Sequence, residues 1–189
     1  MMKSSEIENA YAEELIEMAQ HDLYVREKLL QEGALSRGYN PEMEAVHKKN
    51  AARLEQIIND IGYPTKSKVG IEASEAAWLI VQHAISEPAL MKRCWQLIQK
   101  TEDVNPQNLA YMYDRICYFE GKPQKYGTQF DSRGLYPVED KKEMIRLRKE
   151  LKLKVHDEDM IVESKTDEFT DLHPDDETFN QWRKKVGWI

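Results

Sequence analysis

The sequence predicts an all-α fold, a single-domain bundle of about six helices. Apolar residues recur at steps of three and four along most of the chain, and glycine and proline fall where helices should stop and start. The longest apolar run, Ala76 to Val81, is far too short to cross a bilayer. The 189 residues suffice for one sizeable core and not for two independent ones. The helical domain is expected over 1–155, followed by an acidic linker or tail over 156–189 that ends in a short terminal element.

The first helix is read from Ser5 to Leu30, with Ile7, Tyr11, Leu15, Met18, Val25 and Leu29 inward. Gly33 and Gly38 end it. Pro41 opens a second helix that runs to about Ile61, and Gly62 and Pro64 close it. A third, from about Glu72 to Ser86, is apolar nearly all round through Ala76–Val81 and should be central. Pro88 and Pro106 begin a fourth and a fifth. The segment from Gly121 to Pro137 is long, rich in glycine and glutamine and poor in aliphatic residues, and connections of that kind tend to be functional or disordered. A charged sixth helix is read from Glu139 to about Leu151. In the tail, Phe179, Trp182, Val186 and Trp188 suit a docked terminal element.

Charge and cysteine usage narrow the function classes. The net charge is −7, but residues 156–177 hold ten acids and one base and so carry −9 by themselves. The rest is close to neutral, and no basic footprint for nucleic acid is present. Cys94 and Cys117 each sit in an apolar helical pattern, which reads as two buried thiols in a reducing compartment. With no signal-peptide pattern at the start, a cytoplasmic location is expected. Phosphate-binding loops, dinucleotide fingerprints, His-Glu-x-x-His and nucleophile elbows are all absent from the sequence.

Function is sought in polar residues that break the apolar stripes. The step after Met18 falls on Asp22, with Arg26 one turn further. The second helix carries His47 and Asn50 in its stripe, the third Gln82 and His83, and the fifth Asp114 and Arg115. Buried polar groups cost free energy unless they are paired, so gathering them in one interhelical pocket is the economical arrangement. The Gly121–Pro137 loop would cover that pocket. An Asp22–Arg26 pair across one helical turn is expected.

These stretches resemble an uncharacterised bacterial family known only as a domain of unknown function. The resemblance rests on Gly62-Tyr-Pro-Thr65, Ser67-Lys-Val-Gly70, Ala77-Trp-Leu-Ile-Val-Gln-His-Ala84, Tyr113-Asp-Arg-Ile116 and Gly121-Lys-Pro-Gln-Lys-Tyr-Gly-Thr-Gln129. Asp22 and Arg26 match a pair in the family's first helix. Arg148 to Leu153 match its closing Arg-x-x-Leu-Gly-Leu, except that Lys152 replaces the glycine. The resemblance covers about residues 10–155 and implies no activity.

Three chemistries fit. In the leading one, the protein is an enzyme for a small polar or anionic molecule, with His83 as general acid or base. Asp114 would orient His83, and Arg115 would hold an anionic group. Asp22, Arg26, His47, Asn50, Gln82, Gln124, Tyr126 and Gln129 would line the ligand site. A second is a single metal ion bound by His47, His83 and Asp22 or Asp114. A third is a non-catalytic sensor or immunity-type protein whose acidic tail engages a partner. The cofactor is left open.

Overall fold

The structure, a computed structural model, describes residues 4–35, 39–164, 171–173 and 176–189. Local chemistry sets each helix. Asn40 caps α2 (Pro41–Ile61), its side chain accepting from the Glu42 and Met43 N–H groups, and Pro41 supplies the first turn. Gly62, at φ 73°, ends that helix with its N–H on the Ile58 carbonyl. Asn105 and Asp140 cap α5 (Pro106–Glu120) and α6 (Lys141–Glu150) in the same way, and Gly121 ends α5 in the left-handed conformation.

The chain forms two compact units, Met1–Val104 and Asn105–Ile189. In the first, α1 (Ser4–Gln31) packs on α2 and on α3 (Lys66–His83), and α3 also meets α4 (Pro88–Ile98). The core is aliphatic and includes Leu15, Leu54, Ile57, Ala77, Ile80, Val81, Met91 and Ile98. Burial of each larger one contributes about 1.5–3 kcal/mol. As its composition predicts, α3 is central to this packing. Gly70 (φ 82°) interrupts it, so its regular part begins near the expected Glu72, while its end comes at His83 instead of Ser86.

The second unit holds α5, a small antiparallel pair of β1 (Phe130–Asp131) and β2 (Gly134–Leu135), α6, a 3₁₀ turn at Glu158–Met160 and α7 (Glu177–Val186). The Gly121–Pro137 segment is therefore not structureless. Described residues beyond 155 make contacts within this unit. Phe119 of α5 stacks on Trp188, and His173 Nε2 donates to the Tyr118 carbonyl at 2.9 Å. Arg183 is wholly buried, donating to the Phe119 carbonyl and pairing with Asp171. The first compact unit ends at Val104. In the second unit, Phe179, Trp182 and Trp188 all meet Phe119 of α5. Part of the acidic stretch expected to engage a partner, including Asp167, Glu168 and Asp175, lies outside the described residues. No helix among the described residues is long and apolar enough to cross a membrane.

Candidate metal centre

Helical periodicity aims three titratable side chains into the first unit. On α1 the buried stripe runs Leu15, Ala19, Asp22, Val25, Leu29, and on α2 it runs Met43, His47, Asn50, Leu54. On α3, His83 follows Ala76 and Ile80 in the last helical turn, where the carbonyl end favours positive charge. Asp22 is 1% exposed and His47 8%. The His83 side chain is 21% exposed, so water reaches the cluster at this edge.

The carboxylate of Asp22 is the meeting point. His83 Nδ1 donates to Asp22 Oδ1 at 2.9 Å. His47 Nε2 lies 3.3 Å from Asp22 Oδ2, but the two are not aligned as donor and acceptor. Both atoms are buried without a hydrogen-bond partner among the described residues. The two imidazole centroids are 5.1 Å apart. Burial pushes the Asp22 carboxyl upward, and the two histidines outweigh it, holding the group well below the usual carboxylate range. One donor atom from each residue falls within 4.8 Å of the other two. Ligands about 2.0–2.2 Å from a common ion stand about 3–3.5 Å from each other, and each imidazole nitrogen lies near that distance from one of the two Asp22 oxygens, 2.9 Å from Oδ1 for His83 and 3.3 Å from Oδ2 for His47.

The surroundings depart from expectation in two places. Arg26 is exposed, and Asp22 meets the histidines instead of pairing with it. Tyr39, which sequence reasoning missed, places its hydroxyl 2.6 Å from His47 Nδ1. Its only signal was an aromatic residue just before the helix-capping Asn40. Asn50 donates to the Met18 carbonyl at 3.4 Å. Gln82 is buried with its Nε2 lacking a partner among the described residues.

The second unit gathers the other expected residues around Asp114. Its Oδ1 accepts from the Lys125 and Tyr126 N–H groups at 2.8 and 3.0 Å, and its Oδ2 from the Tyr126 and Thr128 N–H groups and the Thr128 hydroxyl at 3.0–3.1 Å. Burial pushes its carboxyl up to about 6, against those hydrogen bonds. Gln124 is equally occupied. Its Nε2 donates to the Gln129 and Tyr136 carbonyls, and its Oε1 accepts from the Gln129 N–H. Arg115 Nη1 is 3.4 Å from Gln129 Oε1, and its guanidinium lies over the Phe119 ring. Tyr126 meets Tyr113 edge-on, and burial raises its phenol. From α6, the buried Arg148 donates to the Tyr126 and Gly127 carbonyls at 2.7 and 2.8 Å. In this unit Asp114 anchors a turn, and the carboxylate that contacts His83 is Asp22.

A family model of unknown function matches residues 9–154. The chain belongs to that family, DUF6624. No curated protein and no solved structure matches it. The DUF6624 match begins in α1 and ends just after α6, so it contains Asp22, His47 and His83 together with Asp114 and Arg148. The 3₁₀ turn and α7 lie beyond it. Near its end is Lys152, at φ 55° the one non-glycine residue with a positive φ among those described.

Proposed function

We propose that the first unit holds one divalent transition-metal ion on Asp22, His47 and His83, and that the ion serves acid–base chemistry on a small polar or anionic molecule. The observation that carries this reading is the pair Asp22 Oδ2 and His47 Nε2, buried, facing each other at 3.3 Å and lacking hydrogen-bond partners among the described residues. An arrangement with such groups is expensive unless a further species joins it. Two imidazoles and one carboxylate suit zinc, iron(II), manganese or nickel. Three protein ligands leave coordination positions for water and substrate, where a bound ion supplies Lewis-acid polarisation. The partly exposed edge of His83 is the side from which a small molecule would arrive.

A second reading is metal-free. The 2.9 Å bond from His83 Nδ1 to Asp22 leaves Nε2 as a general base oriented by a carboxylate. It gives His47 no task. Elemental analysis and native mass spectrometry of untagged protein, followed by zinc(II) and cobalt(II) titration, separate the two. The metal reading expects one ion per chain, a raised melting temperature on zinc addition and loss of both in His47→Ala. Absence of any bound ion, with no thermal shift from zinc, iron(II), manganese, cobalt or nickel, would overturn it.

A further inference from the structure

We infer that Tyr39 is a positioning residue of this centre, an outer-sphere partner that selects which nitrogen of His47 is free to ligate; this rests on the metal reading above. His47 has its two ring nitrogens in different company. Nε2 faces Asp22 Oδ2 at 3.3 Å, and Nδ1 meets the Tyr39 hydroxyl at 2.6 Å. A metal-ligating imidazole is set by the hydrogen bond that its other nitrogen makes.

A hydroxyl can donate or accept, and that sets Tyr39 apart from a carbonyl or carboxylate partner. With the centre empty, the proton of neutral His47 can sit on Nε2, beside the Asp22 carboxylate, while the phenol donates to Nδ1. When an ion takes Nε2, the ring proton resides on Nδ1 and the phenol oxygen accepts it. The same two heavy atoms serve both states without moving. Such a partner suits an ion that exchanges, because Nδ1 and the hydroxyl stay hydrogen-bonded to each other in both states.

Tyr39 is held for this task from both sides. Its ring stacks on the His47 ring, with centroids 5.7 Å apart and planes 28° from parallel. It also packs against the buried cluster of Val25, Leu29 and Met43. The adjacent Asn40 fixes the backbone by capping α2 and by donating to the Ala34 carbonyl at 3.1 Å.

Tyr39→Phe removes the hydroxyl and keeps the stacked ring. Cobalt(II) titration of the full chain, read by visible d–d absorption and by competition with a chelator, is the test. The expected result is about a 10- to 100-fold weaker affinity for the variant and altered band positions, with metal-free melting unchanged. Imidazole ¹⁵N shifts of the zinc-bound wild type should place the His47 proton on Nδ1. Equal affinity and identical spectra in the two proteins would overturn the role of Tyr39 and leave the centre standing. A lowered metal-free melting temperature with unchanged bands would make the hydroxyl a folding contact and also overturn it. Failure of the wild type to bind any cobalt or zinc would remove the centre itself, and this inference with it.

Discussion

Asp22 and Asp114 occupy matching places in the two units, each on the inward stripe of a long helix and almost without exposure. Their surroundings are opposite. Asp114 accepts three backbone N–H groups and a hydroxyl from one short turn, which uses both its oxygens fully. Among the described residues Asp22 accepts a single hydrogen bond, from His83, and its second oxygen faces another histidine across a gap. A carboxylate saturated by backbone is a building element, because nothing of it is left over for a ligand. A buried carboxylate left half-used beside two imidazoles is where chemistry has room.

The comparison can be broken by substitution. The heaviest blow to the second unit should come from deleting residues 177–189, which takes the buried Arg183 and Trp188 out of its interior. Loss of its cooperative thermal transition is expected, and unchanged melting would mean that the terminal helix only decorates the surface. Asp114→Ala strands several buried donors and should destabilise by about 3–5 kcal/mol, read as a lower urea midpoint. Asp22→Asn should behave differently. It keeps an acceptor for His83 but removes the charge that the two histidines favour, so metal-free stability should fall by about 1–2 kcal/mol, less than for Asp114→Ala. Zinc binding, in contrast, should be lost almost entirely. Equal destabilisation by the Asp22 and Asp114 substitutions would erase the distinction between them. The smallest effect is expected at Lys152, where glycine relieves a left-handed backbone. Lys152→Gly should stabilise by about 1 kcal/mol, visible as a small rise in melting temperature.

Much of this is legible in the sequence, for reasons visible in particular residues. Pro41, Gly62, Pro88, Pro106 and Gly121 mark helix ends by their own backbone preferences, which need no partner to act. Asp22, His47 and His83 betray themselves by standing where an apolar residue should be. What periodicity cannot give is the partner of an inward polar group. The sequence suggests Asp114 as the companion of His83, yet its partners are backbone N–H groups, which have no signature in a side-chain string. Arg26 lies one turn from Asp22, but on the exposed side, and proximity along a helix does not decide burial. The role of the C-terminal segment was masked by its charge. Acidic residues dominate its composition, while a few aromatic residues and one buried arginine decide where it packs.

The grip on residues 125–128 has a consequence for variation. Asp114 holds this turn by its N–H groups, and Arg148 holds it by the Tyr126 and Gly127 carbonyls. Glycine is favoured at 127, because φ there is 67° and a Cβ would stand 2.6 Å from Met144 Sδ. The side chains of Lys125 and Tyr126 take no part in the grip. The turn therefore keeps its shape by reading the main chain alone, which makes position 125 a ready frame for displaying new side chains in a fixed orientation.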